Sequence, residues 1–340
     1  MAEQSIQLPA LAGHARRSAG YSYGAVAVAA GVGAAFPGQA AAVLGPVLLL
    51  GLAGLGVAHG ACDQLVLPAH WPVRGPWAAY LVWFVVGYVG LAAIAGLVWW
   101  RWPAVAVGVF FGLSGWHWGS ADAPAHPRRL VWLAHSLLRG AWLLAVPAWC
   151  WPAETAGSVN GLLELAGAPP LATSHWAWLA PPVVLGGHLA LWAYFAWEGH
   201  AGRWHRDAAE TVLLAGLGAA LPPLLALGVY FVFWHSLRHV LRLVPLLGYT
   251  ARPGRRGPAL ARELGFFLRR ALPVLGISLA ALAVTYALAG PARLPAGPDG
   301  WVALAVLGAS VVTLPHALLV SVVMDAAKWR PVLPGTGWPF

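Results

Sequence analysis

Apolar residues run along the chain in long blocks, separated by short stretches where proline, glycine and arginine gather. A bilayer core about 30 Å thick takes ~20 residues of apolar helix to cross, so blocks of this length predict membrane spans. Ten fall at about 21–36, 40–58, 77–100, 103–121, 130–149, 176–198, 208–221, 224–247, 271–290 and 300–324. The first and seventh are short for a full crossing. The expectation is an all-α, polytopic membrane helix bundle of about ten (eight to ten) transmembrane helices. It forms a single integral membrane domain over 1–340, with one sizeable basic loop at about 248–270. The polar start, Met1 to Arg17, leads into a first span and lacks a cleavage site of signal-peptide type.

Charge changes the picture by setting orientation. Only 9% of the residues are charged against 60% hydrophobic, with a mean hydropathy of +0.70 and 21 tryptophans. Basic residues concentrate on the cytoplasmic side of membrane proteins. With the N-terminus inside, the inner segments carry Arg16, Arg17, Arg74, Arg128, Arg129, Arg203, Arg206, Arg252, Arg255, Arg256, Arg262, Arg269, Arg270, Lys328 and Arg330. The outer side keeps Arg101 and Arg293, while Arg139, Arg238 and Arg242 lie within spans. If Pro222-Pro223 only kinked one long helix, the basic loop 252–270 would fall outside, so a hairpin there is expected. Both termini are expected in the cytoplasm and the chain in the cell (inner) membrane. The net charge of +9 then reflects topology and anionic lipid, not nucleic acid. Cys62 and Cys150 are too few and too far apart for a disulfide framework and read as packing residues.

Chemistry enters with the 13 histidines. His14, His70, His126, His175, His200 and His205 fall in loops or at span ends, where solvated or interfacial roles suffice. His59, His117, His135, His188, His235, His239 and His316 fall in or at the ends of spans, where a polar ring is costly and functional by default. In the expected topology His59, His117, His235, His239 and His316 share the inner half of the membrane, on spans running the same way. His235-Ser-Leu-Arg-His239 places two imidazoles one helical turn apart on one face, a spacing that can chelate one metal ion. A pair hydrogen-bonded to neighbouring helices is the plainer alternative. Asp63 follows His59 by four residues and Asp122 follows His117 by five. Each either orients a ligand by accepting its far ring proton or caps a helix end. Gly60 and Gly119 permit close backbone approach or a break in the helix, though simple small-residue packing explains them as well. An all-imidazole shell without thiolate suits iron, zinc or copper.

At these residues the sequence resembles the Brp/Blh family of membrane β-carotene 15,15′-dioxygenases. The pieces are His59-Gly-Ala-Cys-Asp63, Ser114-Gly-Trp-His-Trp-Gly-Ser-Ala-Asp122, Arg139-Gly140, His235-Ser-Leu-Arg-His239 and Pro315-His316, in the family's order and with similar spacing. Trp118 stands where the family usually has phenylalanine, Ala58 where proline is common, and Gln64 where another histidine is frequent. The resemblance implies a non-haem Fe2+ held by four histidines, which map onto His59, His117, His235 and His239, with His316 as a further ligand or a group behind the ligands. It implies O2-dependent cleavage of the central 15,15′ double bond of β-carotene to two retinal molecules within membrane lipid. A retinal-accepting rhodopsin is a candidate partner. Trp116, Trp118, Phe231, Phe233 and Trp234 flank the histidines and are expected to line an apolar tunnel for the polyene, though ordinary packing explains any one of them.

Three other readings compete. A desaturase-like di-iron oxidase needs several histidine boxes where this chain has one HxxxH. A metal or proton transporter would use the buried His and Asp as a relay. A haem-binding bundle would pair histidines on facing helices.

Overall fold

A computed structural model of the chain describes residues 2–71, 73–171, 176–250, 259–289 and 297–329. The described residues form helices and connecting turns, without strands. Among the described residues, this all-α membrane chain contains five helical stretches long and apolar enough to cross a bilayer: Ala40–His70, Trp77–Arg101, Arg129–Cys150, Pro223–Leu246 and Val302–Met324. Contacts divide it into two compact units. One comprises Met1–Val73 with Leu227–Thr285; the other comprises Arg74–Ala226 with Tyr286–Pro331.

Unit one begins with α1 (Ala2–Ala35) and α2 (Ala40–Gly51). A π-helical stretch, Leu52–Val57, and a single 3₁₀ turn, Ala58–Gly60, then lead into the short α3 (Asp63–His70). The chain returns through the end of α10 (Pro223–Val229), a second π-helical stretch (Tyr230–Ser236), α11 (Leu237–Leu246) and most of α12 (Ala259–Ala289). α1 packs along α11 and the π-helical stretch before it. α12 takes in 259–270, so the far half of the expected basic loop is helix; its other half, 251–258, lies outside the described residues.

Unit two holds α4 (Trp77–Arg101), α5 (Pro103–Asp122), α6 (Arg129–Cys150), α7 (Pro152–Leu165), α8 (Trp176–Trp197) and α9 (Ala201–Ala220). It is completed by α13 (Gly297–Leu319), a third π-helical stretch (Val320–Met324) and α14 (Ala326–Trp329). α4 turns Val82, Trp83, Val86, Leu97 and Trp100 outward, an apolar surface suited to lipid. The densest packing joins α5 to α6. There Gly115 and Gly119, one turn apart, meet Ser136 and Gly140 with the same spacing. A Cβ on Gly119 would overlap the Ser136 carbonyl, and one on Gly140 would overlap the Gly115 carbonyl. Small residues at this period let two helix backbones touch, as membrane helices commonly do.

One feature differs from the sequence expectation. α3 and α7 occupy stretches read as loops; α7 starts with proline at its first turn, the position where a missing N–H costs nothing. At Pro222-Pro223 the helix breaks: α9 ends at Ala220, Leu221 is extended and α10 begins at Pro223. The steric demand of proline on the residue before it explains that interruption.

Candidate metal centre

His59, His235 and His239 come together in unit one. His59 sits on the 3₁₀ turn, His235 near the end of the second π-helical stretch, and His239 one turn on in α11. All three are buried. The His59 ring centre lies 5.6 Å from that of His235 and 5.5 Å from that of His239, edge-on to both. His235 and His239 are near-parallel at 6.2 Å. The i, i+4 spacing puts the two rings on one helical face, and the third ring arrives from a segment about 175 residues earlier in the chain.

Local backbone explains the placement. The π-helical stretch Leu52–Val57 precedes His59, that of Tyr230–Ser236 contains His235, and that of Val320–Met324 follows His316. Widened turns of this kind are rare and favour functional sites, because one extra residue per turn re-aims the side chains beside it. Close packing holds the turns in place. A Cβ on Gly51 would strike Val232, and one on Gly56 would press on the Phe231 ring.

His59 Nδ1 donates to the Gly56 carbonyl at 2.5 Å. That bond places the proton on Nδ1 and leaves Nε2 as the basic nitrogen, the arrangement typical of a metal-ligating histidine. A bound imidazole puts its ring centre about 3 Å from the ion, so two neighbouring ligands stand about 5 Å apart. The three rings therefore need to close by roughly 0.5–1 Å to share one ion. As the side chains stand, no three His, Cys, Asp or Glu among the described residues converge into a finished metal cage. Arg242 donates to His239 Nδ1 at a long 3.4 Å, which favours the other tautomer; ligation through Nε2 requires that weak contact to open. Donor chemistry, burial and spacing fit a divalent ion, with those adjustments.

The remaining predicted residues distribute as follows. Asp63 is buried in the first turn of α3, where a carboxylate also favours the positive end of the helix. Phe231 stacks on His235 at 5.9 Å and meets His59 edge-on at 5.4 Å. Trp234 is buried with the Arg238 guanidinium 3.7 Å over its ring. Phe233 is half-buried on the same stretch. In unit two His117 is buried on α5, its ring 5.0 Å from that of His316 on α13. Trp116 donates its indole proton to Ser321 Oγ at 3.3 Å and packs against Trp132 and Trp329. Trp118 is half-buried. Asp122 ends α5 beside Arg139, His188 and Thr211, so its near neighbour of opposite charge is a guanidinium. Gly119 and Gly140 serve the α5–α6 contact: α5 runs unbroken past Gly119, whose missing side chain lets the two helix backbones meet.

Sequence reasoning missed the strongest electrostatic feature of unit two. Arg139 bridges Asp207 and Glu210, and Asp207 also accepts from His135 Nε2 at 2.7 Å and Trp192 Nε1 at 2.6 Å. The available signal was a lone arginine within a span, which demands a buried counter-charge, together with two carboxylates three residues apart at the edge of the short seventh span.

The family model described as beta-carotene 15,15′-dioxygenase matches residues 50–324. That interval contains His59, His117, His235, His239 and His316. The chain is 36% identical over 121 residues to the probable beta-carotene 15,15′-dioxygenase Blh of Halobacterium salinarum, a match covering 35% of this chain and 34% of that relative. The aligned part thus spans about a third of the relative's length. No solved structure matches.

Proposed function

Because the chain belongs to the beta-carotene 15,15′-dioxygenase family, we propose that it cleaves the central 15,15′ double bond of β-carotene with O2, giving two molecules of retinal. The observation that carries this reading furthest is the trio of buried imidazoles, His59, His235 and His239, drawn from two distant segments to ring spacings of 5.5–6.2 Å. In this proposal they are ligands of a non-haem Fe2+. His117 joins them on the strength of its family motif, with His316, whose ring it touches, as a further ligand or a support. Ferrous iron supplies O2 activation. The chain's own residues do the rest. The Gly56 carbonyl holds His59 in the tautomer that offers Nε2. Asp63 acts behind the ligands. Phe231, lying on His235 and against His59, is the foremost contact for the polyene, with Trp116, Trp118 and Trp234 as further tunnel residues.

A hydrocarbon substrate partitions into the bilayer core and offers almost nothing to hydrogen-bond, so selection of its central bond rests on apolar shape and length. An enzyme built of membrane helices receives such a substrate laterally. The proposal accordingly places the chain as one integral membrane domain in the cell membrane, crossing it eight to ten times with both termini in the cytoplasm. Membrane lipid is its solvent, and a rhodopsin is a candidate acceptor of the retinal.

The test is expression in a bacterial host that accumulates β-carotene, with extracted pigments separated by chromatography and iron measured in the purified protein. Loss of β-carotene with appearance of retinal, abolished by His235→Ala, is the expected result. Unchanged pigment beside an iron-loaded protein would overturn the substrate and leave another polyene oxidation; absence of bound iron would overturn the metal assignment.

A further inference from the structure

His117 stands near the end of α5, where a helix is least able to hold itself. The last carbonyls of a helix lack an intrahelical N–H, and the terminal turn frays unless something else binds them. In α5 the Gly119 carbonyl accepts the N–H of Ala123, one residue past the helix, at 2.8 Å. The next two carbonyls are met by a side chain from about 200 residues further on. Lys328 Nζ donates to the Ser120 carbonyl at 2.6 Å and to that of Ala121 at 3.3 Å. Its ammonium is also paired at 3.2 Å with Asp325, whose side chain is buried. A cation at this point answers both the open carbonyls and the negative end of the helix.

The segment that delivers Lys328 grips the same stretch of α5 at two further points. His316, in the last turn of α13, holds its ring 5.0 Å from that of His117. Beyond it, Ser321 accepts the Trp116 indole proton on Oγ at 3.3 Å and the Trp329 indole proton on its carbonyl at 2.9 Å. Trp329, next to Lys328, packs against Trp116 and Trp132. Residues 316–329 therefore touch α5 at Trp116, at His117 and at the carbonyls of its last turn. Lys328 and Trp329 lie beyond the residues 50–324 that match the family model.

Resting on the reading of His117 as a metal ligand, we propose that Lys328 is a positioning residue: by binding the last carbonyls of α5 it holds the His117 ring against His316. Asp325 keeps the ammonium in place from the side away from the helix. Without the cation the Ser120 and Ala121 carbonyls lose their donor, the end of α5 loosens, and the His117 imidazole leaves the orientation in which it meets His316.

Carbethoxylation of histidines in the full chain, purified in detergent and stripped of metal by a chelator, tests the positioning without any turnover. Lys328→Met should raise the reaction rate of His117 several-fold and leave that of His188, buried on α8 of the same unit, unchanged. Lys328→Arg, which keeps a cation and its donors, should return His117 to near the wild-type rate. In the iron-loaded chain Lys328→Met should lower kcat for β-carotene several-fold with KM little changed, because the contacts to the polyene are untouched. Lys328→Gln, uncharged and shorter, serves with the same expectations if the methionine variant does not fold. A His117 rate that ignores loss of the ammonium, stays high in the arginine variant, or rises together with that of His188 would overturn the role of Lys328. An unaltered kcat in an active chain would do the same. A wild-type chain that leaves β-carotene intact overturns instead the function proposed above, and the His117 rate still decides what Lys328 does.

Discussion

Two buried polar clusters, one in each unit, solve the same problem in opposite ways. In unit two, Arg139, Asp207, Glu210 and His135 answer one another with short, charge-assisted hydrogen bonds, and the sum of their charges is small. In unit one, His59, His235 and His239 are imidazoles in ring contact with one another, and His59 and His235 also meet Phe231. A self-neutralising network is a structural clamp, and its loss is felt by the fold. A set of stacked imidazoles is a donor set, and its loss is felt by whatever binds there. On the function proposed above, the contrast separates stability from activity within one membrane chain.

Breaking the clamp should give the largest effect. Arg139→Met leaves Asp207 and Glu210 buried without their cation and should destabilise the protein by about 3–5 kcal/mol, read as a fall in thermal unfolding temperature in detergent. Adding Asp207→Asn and Glu210→Gln should recover most of it; a triple variant as unstable as the single one would show that the charges are not the cause. Next comes the contact beneath the clamp. Gly119→Ala forces α5 from α6 and should cost about 1–3 kcal/mol, with Gly140→Ala similar and Gly112→Ala, where nothing lies within 4 Å, near neutral.

The donor set should behave in the reverse sense. His239→Ala is expected to remove iron and polyene cleavage while moving the unfolding temperature little in the metal-free protein; a metal-free fold as damaged as that of Arg139→Met would erase the distinction between the clusters. Asp63→Asn should weaken metal retention by ~10–100-fold if Asp63 orients a ligand, measured by chelator competition, and not at all if it only caps α3. The smallest effect lies at the interface. The Tyr194 hydroxyl bonded to Glu198 holds that carboxyl below its usual range. Its contribution is therefore present above the ordinary carboxylate pKa and lost as pH falls through the lowered one. Tyr194→Phe should move the onset of acid destabilisation slightly upward in pH.

Much of the candidate site was legible along the chain. The HxxxH spacing needs only helical periodicity, and a histidine within an apolar span is conspicuous because hydrocarbon penalises it. His59 could be singled out in the same way. The role of Gly119 could not, since a glycine after a histidine looks the same whether it frees the backbone or admits a neighbouring helix. Asp207 and Glu210 were hidden for a related reason: a carboxylate at a span edge is indistinguishable from a loop residue until its partner across α6 is known.

Sequence by itself determined the helical class, the apolar segments and the donor chemistry, because periodicity, length and residue type are local properties. Tertiary structure alone decided which histidines meet, where the helix turns widen, and that Arg139 finds two carboxylates from residues about 70 positions away. Those outcomes depend on contacts between distant segments, and the free energy of burying a charge or an imidazole is set by the partner it meets there.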